Sequence, residues 1–313
     1  MQKPTAIIAI HGGAGTIPPA EMTAAREKCY RDTLSEIVLA GQRLLAAGAG
    51  ALDAVTEAVR LLEDCPLFNA GKGADFTDAG THELDAALMD GSTLAAGAVA
   101  CVRRLPNPIL AARAVMEYSG HVLMVGEAAE EFARSQGLPM VEPGYFYTDF
   151  RYAQWQQTRQ AAPSNGGDEA ASHDRGEIGT VGAVALDAAG NLAAATSTGG
   201  MSNKRVGRIG DTPIIGAGCY ADGNVAVSST GMGEMFIRAV AAHDVAAQIE
   251  YGGRSLREAA EYTVKEKLAR IQGLGGLIAI DRLGNLAFPF TTEGMYRGFA
   301  RVGEAPTTAI FAR

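Results

Sequence analysis

The chain has 313 residues, of which 47% are apolar and 20% charged, with a formal net charge of −8. A chain of this size and balance buries a substantial core without disulfide or metal staples. Its acidity argues against a nucleic-acid partner, and it has no apolar run of about 18 residues, so no membrane-spanning helix is expected.

Glycine is abundant, 39 residues, and clusters in short runs such as Gly12-Gly13-Ala14-Gly15 and Gly231-Met232-Gly233. Such runs mark tight turns or backbone brought close to something small. The four cysteines, Cys29, Cys65, Cys101 and Cys219, form no C-x-x-C pair and read as buried thiols of a reducing compartment. Met1 to Pro4 leads straight into a strand-like run, without the apolar core of a signal peptide. Cytoplasm is the expected location.

In chain order, Thr5 to His11 reads as a buried strand that runs into the glycine turn at Gly12 to Gly15. A nucleotide cradle there is disfavoured, because G-x-G-x-x-G spacing is missing and Pro18-Pro19 stands where a helix should already run. Helical spacing extends from about Glu21 to Ala47 and again from Ala51 to Asp64, where Val55, Val59 and Leu62 form a stripe. Strands are expected over His82 to Asp90 and Leu94 to Val102. Asn107-Pro108 opens a helix to about Tyr118, and another runs from Glu127 to Ser135. The stretch from about Gln160 to Gly179 has almost no large apolar side chains and reads as a linker or flexible loop. Thr180 to Asp187 then forms a hairpin with Asn191 to Thr196. A second hairpin of similar wording pairs Leu277–Asp281 with Asn285–Phe288. Between them lie strands near Ile214 to Cys219 and Val225 to Ser229, and helices over Glu234 to Glu250 and Ser255 to Ile271. Hairpins with paired helices predict an α+β chain whose sheets are covered by helices.

The usual catalytic signatures are missing: no G-x-S-x-G, no H-E-x-x-H, no G-x-x-x-x-G-K-[ST]. The five histidines have no metal-ligand spacing; His11, just before the glycine turn, is the one of interest. A hydroxyl nucleophile without a histidine needs another base, and an N-terminal threonine supplies its own α-amine. An internal threonine acquires that amine only when the bond before it is cut. Gly179-Thr180, at the end of the linker and the start of a buried strand, suits such a cut, because glycine leaves the scissile carbonyl uncrowded. An ordinary loop-to-strand boundary is the competing reading.

Six ordered motifs decide between them: HGGAG (His11–Gly15), PLFNAGKGA (Pro66–Ala74), GTVGAVALD (Gly179–Asp187), ATSTGG (Ala195–Gly200), GRIGDTPIIGAG (Gly207–Gly218) and STGMGE (Ser229–Glu234). Together they resemble the plant-type asparaginase or isoaspartyl peptidase family of N-terminal nucleophile hydrolases. The resemblance implies an αββα sandwich, a single domain autocleaved into 1–179 and 180–313. It implies Thr180 as nucleophile and Thr198 as its orienting partner. Thr230 and Gly231 would form the oxyanion hole. Arg208 and Asp211 would grip the α-carboxylate and α-amine of the substrate, with Gly231 and Gly233 leaving room for it. From spacing alone, Arg208 and Asp211 read first as a surface ion pair. No cofactor is implied for the chemistry. A structural sodium ion is implied on the backbone carbonyls of Leu62, Glu63, Cys65, Phe68, Ala70 and Lys72. Expected substrates are β-aspartyl dipeptides and L-asparagine, and the expected assembly is a dimer of cleaved αβ protomers. Glycosylasparaginase is the rival within the family; a nucleotide-binding protein is the rival outside it.

Overall fold

The computed structural model describes residues 5–17, 19–161 and 179–312. Its strands are β1 (Ile7–Gly15), β2 (Leu84–Asp90), β3 (Ala96–Val102), β4 (Leu123–Val125), β5 (Val181–Leu186), β6 (Leu192–Thr198), β7 (Cys219–Ala221), β8 (Val225–Gly231), β9 (Gly275–Asp281), β10 (Leu286–Ala287), β11 (Gly294–Arg301) and β12 (Thr307–Phe311). The α-helices are α1 (Ala24–Ala46), α2 (Ala51–Asp64), α3 (Pro108–Ala114), α4 (Gly126–Ser135), α5 (Asp149–Ala161), α6 (Gly233–Ala239), α7 (Ala241–Glu250) and α8 (Leu256–Tyr262). One sheet has the order β12-β11-β1-β5-β6-β2-β3-β4, the other β10-β9-β8-β7.

The central strands of the larger sheet, β1, β5, β6 and β2, are buried on both faces, and the period of two sorts their residues. Ile8, Ile10, Val181, Ala183, Ala185, Ala193 and Ala195 join a core with Leu34, Val38, Val55 and Val59 of α1 and α2. Their alternates Ile7, Ala9, Val184, Leu186, Leu192 and Ala194 pack with Ala226, Ile278 and Ile280 of the smaller sheet. On the far side of that sheet, Val225, Val227, Leu277 and Ala279 meet Val245 of α7 and Ala259 and Ala260 of α8. Small residues predominate in β5 and β6, and the two sheets approach closely there. At Gly182 a side chain would collide with the Ser228 hydroxyl and with His11 Nε2.

Several boundaries differ from the sequence reading. The stretch from Ile214 to Cys219 is a succession of turns, closed by Ile214 N–H on Asp211 C=O and Ala217 N–H on Ile214 C=O; β7 begins only at Cys219. The helix expected from Glu234 to Glu250 breaks at Val240, which has φ 50°. The carbonyls of Ala217 and Gly216 accept the N–H groups of Ala242 and His243 that the break leaves over. Ser255 to Ile271 is α8 followed by a π-turn and a 3-10 turn. Three strands, β4, β11 and β12, and helix α5 had no counterpart in the reading. Gln160 and Ala161, assigned there to the linker, close α5; the rest of that segment, 162–178, lies outside the described residues. The cysteines are all free, but only Cys219 is buried; Cys29 is exposed and the other two are intermediate. No helix among the described residues is long and apolar enough to cross a membrane.

Candidate active site

Thr180 stands one residue before β5, near the middle of the larger sheet, and has the parity of Gly182, Val184 and Leu186. Its side chain therefore faces the smaller sheet. Thr196 and Thr198 share that face from β6, as do His11 from β1 and Ser228 and Thr230 from β8. The result is a layer of hydroxyls continuous with the apolar layer between the sheets. Thr180, Thr198 and Thr230 are 5%, 2% and 0% exposed.

Hydrogen bonds order this layer. Thr180 Oγ1 donates to Thr198 Oγ1 at 3.3 Å, and the Gly200 N–H donates to the same Thr198 oxygen at 2.9 Å. Thr198 is thus held as an acceptor for the Thr180 hydroxyl. The Ala14 N–H donates to Thr230 Oγ1 at 3.0 Å. That leaves the Thr230 proton to be aimed elsewhere. The Ala14 N–H reaches Thr230 because β1 carries a bulge between His11 and Gly13, where Gly13 adopts φ 109°. A Cβ built on Gly179 would lie 3.8 Å from Thr230 Oγ1, so the Gly179–Thr180 peptide runs beside that hydroxyl.

His11 Nε2 lies 2.9 Å from Ser228 Oγ, which lies 2.7 Å from Thr196 Oγ1. Burial pushes the His11 pKa down to about 3, against the opposing pull of the Thr180 backbone carbonyl. His11 is therefore neutral and too weakly basic to take a hydroxyl proton at neutral pH. It supports the layer from behind.

Beyond the hydroxyls lies a charged group. Asp211 is buried, and its Oδ2 has no hydrogen-bond partner. Burial raises its pKa to about 7; Arg208 pulls it down, while Glu234 and Asp85 push it up. Arg208 does not pair with Asp211. Its Nε and Nη2 donate to Glu234 Oε1 and Oε2 at 2.8 and 2.7 Å. The reading of Arg208 and Asp211 as a surface ion pair is thereby overturned: the aspartate is inside, and the arginine has another partner. A Cβ on Gly233 would sit 3.0 Å from both Arg208 Nη2 and Asp211 Oδ1. Gly233 thus lies between the two charges. Gly231 ends β8, immediately after Thr230. Behind this group the Lys204 ammonium donates to the Glu83 carbonyl at 2.7 Å, its pKa lowered by burial and supported by Asp85.

The loop after α2 is stitched to the same end of β6. Asn69 Nδ2 donates to the Gly200 carbonyl at 2.6 Å, and the Gly199 N–H donates to the Asn69 carbonyl at 3.1 Å. Ser197 Oγ donates to Glu63 Oε1 at 2.6 Å, which also accepts the Ile109 N–H. Burial raises the Glu63 pKa to about 8. Within the loop the carbonyls of Glu63 and Phe68 stand close over Gly71 and Gly73. Gly71 adopts φ 49°, and a Cβ there would strike the Glu63 carbonyl oxygen; one at Gly73 would strike that of Phe68. The Lys72 ammonium is drawn away, donating to the Tyr145 carbonyl and lying 4.4 Å from the centre of the Tyr145 ring. Leu62, Phe68 and Ala70 are buried, and Cys65 is half-buried. Among the described residues no cluster of three or more His, Cys, Asp or Glu side chains is arranged to hold a metal.

The sequence reading missed Glu234, Asn69, Lys204, Asp85 and the Glu63 carboxyl. Glu234 and Asn69 lie inside motifs already quoted. The available signal was the one amide in PLFNAGKGA and the one carboxylate in STGMGE.

A family model described as asparaginase matches residues 4–310. The chain belongs to the asparaginase family. Members of this family are N-terminal nucleophile hydrolases, and the chain is an enzyme of that class. It is 59% identical over 308 residues to the isoaspartyl peptidase of Escherichia coli (strain K12), covering 98% of this chain and 96% of that one. It is 58% identical to the isoaspartyl peptidase of Salmonella typhimurium, with 98% of each covered. A probable isoaspartyl peptidase/L-asparaginase 2 of Arabidopsis thaliana is 40% identical, covering 94% of this chain and 95% of the relative.

Proposed function

We propose that the chain is an isoaspartyl peptidase and L-asparaginase that cuts itself between Gly179 and Thr180 and then uses Thr180 as nucleophile. The observation that carries this reading is the meeting of Thr180, Thr198 and Thr230 on one buried face, with the Gly179–Thr180 peptide alongside. The names of its relatives in bacteria and plants favour this substrate class over glycosylated asparagine.

In the uncut chain Thr180 Oγ, its proton directed to Thr198, attacks the Gly179 carbonyl. The C–N bond breaks as the hydroxyl proton passes to the departing nitrogen, which becomes the α-amine; the Gly179 ester so formed on Thr180 Oγ is hydrolysed by water, which frees the Thr180 hydroxyl and leaves a carboxylate on Gly179. That amine has a reference pKa of about 8 and serves as base near neutral pH. It takes the Thr180 hydroxyl proton as Oγ attacks the β-carbonyl of the substrate. The Thr230 hydroxyl and the Gly231 N–H donate to the developing oxyanion, each such donor contributing about 3–4 kcal/mol. The leaving amine departs with the proton held by the Thr180 ammonium. Water then attacks the ester, its proton passes through the amine to Thr180 Oγ, and L-aspartate is released. The Arg208 fork takes the substrate α-carboxylate and ionised Asp211 takes the α-ammonium.

The same reading covers the rest of the molecule. The fold is an αββα sandwich, supported by three core clusters in which the two sheets pack on each other and on helices outside. Mature chains of 1–179 and 180–313 form a protomer, and two protomers associate. The backbone carbonyls of Leu62, Glu63, Cys65, Phe68, Ala70 and Lys72 hold a sodium ion, a hard cation suited to oxygen ligands. Bound there, it fixes the loop that Asn69 and Glu63 join to β6. Four unpaired cysteines support a cytoplasmic location.

The test is intact-mass spectrometry with N-terminal sequencing. Active protein resolves into 1–179 and 180–313, the first with or without a trimmed end, while Thr180→Ala stays one chain. A new N-terminus anywhere other than Thr180 refutes the reading.

A further inference from the structure

A guanidinium has two edges that bind carboxylates bidentately: the side edge, Nε with Nη2, and the end edge, Nη1 with Nη2. In Arg208 the side edge is already occupied by both oxygens of Glu234, at 2.8 and 2.7 Å. The Arg208 side chain is 17% exposed and that of Glu234 52%. The clamp therefore runs from a largely buried guanidinium to a half-exposed carboxylate. Two glycines shape the slot in which the guanidinium lies. A Cβ on Gly210 would approach Nη1 to 2.8 Å and Cζ to 3.3 Å, and one on Gly233 would approach Nη2 to 3.0 Å. Any side chain at either position would push the fork aside. Glu234 stands in the first turn of α6, three residues after Gly231 at the end of β8. The backbone that carries the Thr230–Gly231 pair thus also carries the residue that aims Arg208.

We infer that Glu234 is a positioning residue: it occupies the side edge of Arg208 and turns the end edge toward the α-carboxylate of the substrate. This rests on the reading of Arg208 as the carboxylate ligand. Without the clamp a long, rotamer-rich side chain must be ordered by the substrate itself, so affinity falls while the hydroxyl chemistry is untouched. Glu234 also places a negative charge beside Arg208 and Asp211, so the pocket selects a zwitterionic head group and does not bind a lone anion strongly.

The experiment uses cleaved, full-length enzyme and measures kcat and KM for a β-aspartyl dipeptide and for the matching β-alanyl dipeptide. The latter keeps the amine but lacks the α-carboxylate. Glu234→Ala raises KM for the β-aspartyl substrate roughly tenfold with kcat within about twofold. Glu234→Gln, which keeps an acceptor for one donor, gives a smaller rise. Neither variant changes the weak turnover of the β-alanyl substrate or the extent of self-cleavage. Combined with Arg208→Ala, Glu234→Ala adds nothing further. A lower KM in Glu234→Ala means that the glutamate competes for the fork, and overturns the proposal. An unchanged KM, or equal losses on both substrates, overturns it as well. If Arg208→Ala itself leaves KM for the β-aspartyl substrate unchanged, the failure lies in the underlying reading of Arg208.

Discussion

Thr198→Val removes one oxygen from the hydroxyl layer and nearly preserves the shape of the side chain. Two donors lose their acceptor: the Thr180 hydroxyl at 3.3 Å and the Gly200 N–H at 2.9 Å. Gly200 is buried, so its N–H has no water to turn to. A buried donor left in this way costs about 1–3 kcal/mol of stability. The Thr180 hydroxyl can rotate, so its loss falls on orientation more than on stability. If orienting the nucleophile contributes about 2.7 kcal/mol to the barrier, turnover falls roughly a hundredfold. Denaturant unfolding measures the first quantity, and single-turnover hydrolysis of a β-aspartyl dipeptide by separately cleaved enzyme measures the second. Thr198→Ser, which keeps the oxygen, recovers most of both. Thr198→Val with near-normal kcat would mean that the acceptor role assigned to Thr198 is wrong, whatever happens to stability. A stability loss alone would make Thr198 a structural residue.

Two pH effects follow from groups whose pKa values burial raises. Asp211, titrating at about 7, is neutral below that value and cannot hold an ammonium; KM for a β-aspartyl dipeptide therefore falls as pH rises through 7, and Asp211→Asn abolishes that dependence. His11, already pushed down to about 3, contributes no limb in this range, so a histidine variant that removes the limb contradicts the assignment. Glu63 is raised to about 8. An acid raised on folding has its stabilising contribution in full below its unfolded value near 4.5, and loses it as pH climbs through 8. Glu63→Gln keeps the acceptor for Ser197 and Ile109. In sodium-free buffer it melts like the wild type at pH 5 and above it at pH 9; parallel melting curves at the two pH values would contradict the burial of a protonated acid.

Much of the molecule is written locally. α2 begins and ends where its apolar stripe does, from Ala51 to Asp64, because an amphipathic period needs only neighbours along the chain. β5 and β6 are legible for a similar reason: short runs of small apolar residues around an Asx turn, in which Asp187 accepts from the N–H groups of Ala189 and Asn191. The motif around Thr180, with ATSTGG and STGMGE, named the three hydroxyls before any geometry was known. β11 and β12 were not legible, because GMYRGFAR has no local pattern strong enough to specify a strand; pairing with β1, some 290 residues away in register, does so. The break at Val240 depends on carbonyls of Gly216 and Ala217 that sequence does not bring near.

The sequence by itself determined the family, the burial of the central strands and the candidates Thr180, Thr198, Thr230, Arg208 and Asp211, since each rests on residue type, spacing or motif. Only the tertiary structure decided who pairs with whom. Arg208 and Asp211, three residues apart, were readable as a pair, yet the arginine binds Glu234 and the aspartate is buried with an unpartnered oxygen. His11 was of interest by its place in a motif; its depth between the sheets makes it neutral, and its ring meets Ser228, 217 residues on. Burial shifts both His11 and Asp211, and burial is a property of the packed chain.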